Sequence, residues 1–242
     1  MRTIKELIKY YFLVYFKSTK FVMPFVAMLI FLYSIYSTFP IGIVESYTVS
    51  LVIAFLIMIW VGLTYNSLLD QVSEQLLILK AQSMLKYYIS KTFFLFILAI
   101  IVGTIMTMFP VIQNIINGFR IYNRNITVID IFASLILHYF SGFVGGTVGS
   151  FLHQRIMRDR RLAIIITFGI AILALAKKSL NDTYAVSKFI TWVLPPIADV
   201  MEKLSDNIYF APKAVVSSLI YLLIYGSLLS TFQIFLLNKN KF

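Results

Sequence analysis

The chain of 242 residues contains no cysteine. That excludes disulfide frameworks, thiolate zinc sites, a cysteine nucleophile and lipidation at cysteine. Charge is scarce too, with 13% Asp, Glu, Lys and Arg against about a quarter in a soluble domain. No GxxxxGK[ST] occurs, so ATP hydrolysis of the P-loop kind is expected on another chain. HExxH and GxSxG are absent and no acidic pair falls within an apolar run, which argues against intramembrane proteolysis. Ionisable groups inside the apolar runs come down to His138, with Asp130 at the entrance of the same run. A lone histidine of this kind serves either as a hydrogen-bonded packing residue or as a proton carrier, and with no acidic partner it makes a poor relay.

What remains is apolar. Hydrophobic residues make up 60% of the chain and the mean hydropathy is +0.88, the composition of a protein that dissolves in lipid. At about 20 residues per crossing there is room for about six spans and little else. The formal net charge of +11 is explained by Lys and Arg in the loops, and no basic domain is left for nucleic acid.

Six runs fit this length, at residues 21–39, 48–65, 92–112, 129–152, 162–176 and 214–237. Ahead of them, residues 1–20 place Ile4, Leu7, Ile8 and Tyr11 on one helical face and Arg2, Lys5, Glu6 and Lys9 on the other, an amphipathic helix lying in the interface. It lacks the apolar core and the cleavage site of a signal peptide. Pro40 and Gly42 turn the chain after the first run, and Pro110 sits near the end of the third, where a lost backbone bond matters least. Residues 113–128 read as a polar loop, with Asn114, Asn117, Gly118, Arg120, Asn123, Arg124 and Asn125. The fifth run is short, about 22 Å against a hydrocarbon core of about 30 Å. Either Lys177 and Lys178 snorkel outward or the chain turns back inside the outer leaflet.

With both termini inside, fourteen of the 21 basic residues fall on inner segments: Arg2, Lys5, Lys9, Lys17, Lys20, Lys80, Lys86, Lys91, Arg155, Arg158, Arg160, Arg161, Lys239 and Lys241. This bias orients an all-α, multi-pass protein of the cell membrane with cytoplasmic termini, a single domain of six transmembrane helices.

Three segments carry functional candidates. In the fourth run, Gly142 with Gly146 and Gly145 with Gly149 make interleaved GxxxG pairs, which let another helix approach at backbone distance, in the same chain or in a second copy. Residues 70–91 form a polar connector between the second and third runs. Val72, Leu76 and Leu79 with Leu77 and Ile78 make an apolar stripe, while Asp70, Glu74, Lys80, Lys86 and Lys91 make the other faces polar. A connector needs only a few residues, so this helix either docks a partner or lies on lipid. In the outer segment, residues 189–197 are too short to cross and too apolar to stand in water. Pro195 and Pro196 break any helix there, and Asp199, Glu202 and Lys203 restore polarity. A re-entrant hairpin anchored by Trp192, with Leu194, Pro195 and Pro196 as an outer gate, fits these constraints.

The order of an amphipathic helix, six spans, a helix between spans two and three and a long segment before the last span resembles the type-2 ATP-binding-cassette permeases. The residues that carry the resemblance are Glu74, Gln75, Leu76, Leu77, Ile78, Leu79 and Lys80, then Ser83 and Lys91, and the outer Trp192-Val-Leu-Pro-Pro-Ile. Gln82 stands where that family often has proline before the serine. The resemblance implies an elbow helix at residues 1–20, a coupling helix at about 70–82 built on Glu74 to Lys80, and re-entrant helices at about 184–210 beside a shortened fifth span. It also implies a second permease copy or related permease, and ATPase subunits that hold the ATP and Mg, with no cofactor on this chain. Small members without a large extracellular domain resemble exporters of amphipathic peptides in Gram-positive bacteria. The aromatic residues, 16% of the chain, line a cavity for such cargo or face lipid and the core. Three classes stand side by side: an ATP-driven exporter permease, a secondary carrier or channel, and a membrane scaffold or immunity factor.

Overall fold

The computed structural model describes residues 2–184, 188–205 and 207–239. Among them every regular element is helical: α1 (Arg2–Lys17), α2 (Val22–Ile35), α3 (Ile43–Tyr65), α4 (Gln71–Ala81), α5 (Met84–Ile116), α6 (Val128–Phe151), α7 (Arg160–Thr183), α8 (Lys188–Thr191), α9 (Ile197–Ser205) and α10 (Pro212–Lys239). Five of these, α3, α5, α6, α7 and α10, are long and apolar enough to cross a membrane. A sixth crossing results if α1 and α2, bent by 76°, count as one. Several apolar helices in one bundle are the architecture of a multi-pass membrane protein.

The bundle is centred on α6. Its start is fixed by a capping box: Thr127 Oγ1 accepts from the Asp130 N–H at 3.3 Å, and Asp130 Oδ2 accepts from the Thr127 N–H at 2.9 Å. Its glycines then let α3 press against it, in the largest helix contact of the fold. A Cβ at Gly145 would stand 2.2 Å from the Phe55 carbonyl oxygen, and one at Gly149 would stand 2.2 Å from that of Ile59. Gly142 meets Ala99 and Met58, and Gly146 meets Met58. Both glycine pairs therefore serve packing inside this chain. The backbone contact gains dispersion energy that lipid tails cannot supply.

At the end of the bundle that carries α1 and α4, aromatic rings do the joining. Leu7, Tyr11 and Tyr15 form the buried face of α1. Tyr11, Phe12 and Tyr15 all pack on Phe94 of α5 with ring centroids 4.9 to 5.9 Å apart, the edge-to-face range that rings prefer.

Three boundaries differ from those expected. The helix of the first run stops at Ile35 and is only 14 residues long. Residues 84–91, read as the end of the polar connector, are the first two turns of α5, because Gln82 takes a left-handed φ of 55° and Ser83 caps a new helix through the Lys86 N–H. The fifth apolar run belongs to a longer helix: α7 continues for 24 residues through Lys177 and Lys178, so of the two alternatives the chain does not turn back there. Both lysines find carboxylates on α9, Lys177 with Asp199 at 2.5 Å and Lys178 with Glu202 at 3.0 Å.

Candidate functional site

α4 is an 11-residue helix held at one end of the bundle. Asp70 caps it, its Oδ1 accepting from the Ser73 N–H at 3.3 Å, and Ser73, through its side chain first and its N–H second, holds the exposed Asp70 carboxyl below its ordinary range. Val72, Leu76 and Leu79, at i, i+4 and i+7, point away from the protein. Leu76 is 61% exposed and Leu79 73%. Gln75 and Lys80 flank this stripe and are exposed, Leu77 is half-buried, and Ile78 and Ala81 pack inward.

Glu74 corrects the expectation that it faces a partner, for it is 4% exposed. Its Oε1 accepts from the Tyr88 hydroxyl at 3.0 Å, and that hydroxyl in turn accepts from Arg155 Nη1. On its other side, Glu74 Oε2 lies 3.6 Å from His153 Nε2. His153 Nδ1 accepts from the Arg155 N–H at 3.3 Å, so the ring proton sits on Nε2 and is aimed at Glu74. Burial, with Lys91 and Arg155 nearby, lowers the His153 pKa to about 2. The ring is neutral, and at 3.6 Å its contact with Glu74 is neither an ion pair nor a full hydrogen bond. Arg155 also stacks over Tyr88, 5.9 Å from the ring centroid. One carboxylate thus ties α4 to the start of α5 and to the turn between α6 and α7. The sequence carries no sign of this, because Tyr88 and His153 stand 14 and 79 residues away from Glu74.

The outer segment packs by its second half. Pro195, Pro196, Ile197, Ala198 and Val200 are buried, and α9 lies against α3, α7 and α10. Leu194 is half-buried, while Phe189, Trp192 and Val193 are exposed. Tyr225, 13 residues into α10, donates to the Val193 carbonyl at 3.0 Å, so the tip reaches about 20 Å down that helix. Residues 185–187, expected within the outer segment, lie outside the described residues. His138 is fully buried; its Nδ1 lies 2.8 Å from the Ser134 carbonyl and its Nε2 2.8 Å from Ser50 Oγ. Both ring nitrogens are occupied by neighbours on α3 and α6.

These observations define the class: an all-helical, multi-pass chain with a short amphipathic helix presenting an apolar stripe outside the bundle. Comparison with protein-family models, with curated proteins and with solved structures gave no match.

Proposed function

We propose that this chain is the permease half of an ATP-driven exporter, a cell-membrane protein with both termini in the cytoplasm. Two permease copies, or this chain and a related one, form the pathway. Separate ATPase subunits, holding ATP and Mg, dock on α4, and the cargo is amphipathic peptides. The observation that carries the reading is the outward stripe of Val72, Leu76 and Leu79 on a helix whose opposite side is anchored through Glu74. Apolar anchors on a rigid helix are what a groove in a soluble partner recognises. A helix tied to the transmembrane bundle through a buried carboxylate passes a push from that partner to α5 and to the turn before α7. The family resemblance of residues 74–80 supports the same reading.

The test follows the exposed residues. Leu76→Asp with Leu79→Asp is expected to abolish copurification with a P-loop ATPase and with it export, while the chain still inserts and runs as a single species. Leu77→Asp alone, at a half-buried position, is expected to harm folding instead. Retention of both ATPase binding and full export by the double variant would make α4 a helix resting on lipid and would return the chain to the carrier, channel or scaffold classes.

A further inference from the structure

We infer that Arg124 is the latch of an outer gate, and that Tyr122 and Phe210 are the gate it holds shut. Residues 113–128 read from sequence as a polar loop, yet Ile121 and Tyr122 are buried within the bundle. Two backbone features hold the loop there. Asn114 on α5 accepts from the Phe119 N–H at 2.7 Å through its carbonyl and from the Ile121 N–H at 3.2 Å through Oδ1. The Ile41 N–H donates to the Ile121 carbonyl at 2.9 Å, and the Ile41 carbonyl accepts from Asn123 at 3.1 Å.

Tyr122 lands beside Tyr36 and Tyr47, with centroids 6.4 Å apart in each pair. From the other side Phe210, in the linker before α10, meets Tyr47 at 6.3 Å. Tyr47 in turn packs on His138 at 6.1 Å. Two segments far apart in sequence thus meet at Tyr47, whose ring packs against the His138 that Ser50 holds.

The hydroxyls of Tyr36 and Tyr122 are buried among those of Ser46, Ser50 and Tyr47, and each stays satisfied only where a neighbouring hydroxyl turns to meet it. Beyond the backbone bonds, one side chain ties the two segments to each other. Arg124 makes a two-point ion pair with Asp130, Nη1 to Oδ2 at 2.7 Å and Nη2 to Oδ1 at 2.9 Å. The same guanidinium donates through Nε and Nη2 to the Ile208 carbonyl at 3.3 and 3.2 Å and stacks over Tyr209 at 4.1 Å. Ile208 lies two residues before Phe210, and Arg124 two residues after Tyr122. Arg124 therefore fastens both halves of the gate to each other and to the cap of α6, and only a planar fork of donors spans the three.

That this gate stands on a transport pathway rests on the export reading; the latch does not, and its test needs no ATPase. In a chain without cysteine, Ser46→Cys and Ser50→Cys are near-isosteric reporters at buried positions of α3 beside the Tyr36 hydroxyl, and Ser141→Cys reports on the α3–α6 contact one turn of α6 beyond His138. Each is labelled with a membrane-impermeant maleimide in membranes holding this chain alone. The Ser46 and Ser50 reporters are expected to be protected in the parent and to label at least about tenfold faster with Arg124→Gln, since labelling follows the open population. Arg124→Lys, which keeps the charge and loses the fork, is expected to fall between. Unchanged labelling in Arg124→Gln overturns the latch. Faster labelling of Ser141→Cys alongside the others also overturns it, by making Arg124 a general stabiliser. Retention of ATPase binding and full export by Leu76→Asp with Leu79→Asp, with the labelling pattern intact, would sink the export reading and leave the latch standing.

Discussion

α6 and α7 are each 24 residues long and both are apolar, yet the fold treats them in opposite ways. α6 is locked along its length by shape: half of its most apolar stretch is buried, and its glycines stand against backbone atoms of α3. Only 22% of the corresponding stretch of α7 is buried, and a Cβ at Gly169 would meet nothing within 4 Å. α7 is held at its ends. The turn before it joins the Glu74 cluster through His153 and Arg155, and near its C-terminal end Lys177 and Lys178 pair with α9. A helix fixed by close packing has one position, whereas a helix pinned at its ends is free to shift when a pin is moved.

The strongest way to break this contrast is at the glycines. Gly145→Ala and Gly149→Ala place a methyl 2.2 Å from a carbonyl oxygen, and each is expected to cost about 3 kcal/mol or more. The readout is loss of the monodisperse peak of the solubilised chain.

The inner pin has a pH signature. Because the His153 pKa is lowered to about 2 from an ordinary value of about 6.5, the unfolded chain binds the extra proton first as pH falls. Stability is therefore full above about 6.5 and lost on acidification, by at most about 1.4 kcal/mol per pH unit. Thermal unfolding of His153→Asn between pH 7.5 and 5 is expected to show a shallower acid slope than the parent, and equal slopes would mean the ring does not resist protonation.

At the outer pin, Lys177→Ala removes a pair whose carboxylate side is 36% exposed. Its expected cost is about 1 kcal/mol or less, seen as a small Tm drop, with none for Lys178→Ala.

The smallest effect should have the opposite sign. Gly169→Ala fills open space on α7 and gains up to about 1 kcal/mol of helix propensity. A measured loss would reveal a neighbour packed on that face.

These contrasts mark what the sequence showed. The apolar runs were legible because their composition allows no other solvent, and α4 was legible from Asp70, the Val72, Leu76 and Leu79 spacing and Lys80. The direction of Glu74 was not, since a carboxylate on a polar face reads as exposed until Tyr88 and His153 are brought to it. At Lys177 and Lys178 the sequence left open whether the helix continues or the chain turns back, because the carboxylates that accept them lie more than 20 residues downstream. The gate at Tyr122 went unseen as well. Its one trace was an Ile-Tyr pair set among Arg120, Asn123 and Arg124, an apolar island in a segment otherwise fit for water.

α5 begins at the joint of Gln82 and Ser83, directly after α4, and carries Asn114 near its far end. From Met84 to Pro110 it is a rod of about 40 Å, and a tilt of about 5° at the α4 end sweeps the other by about 3 to 4 Å. That stroke is as large as the reach of a hydrogen bond. Delivered where Asn114 holds the chain leading to Ile121 and Tyr122, such a tilt would turn a rotation too small to disturb any one packed contact into a displacement large enough to unseat one.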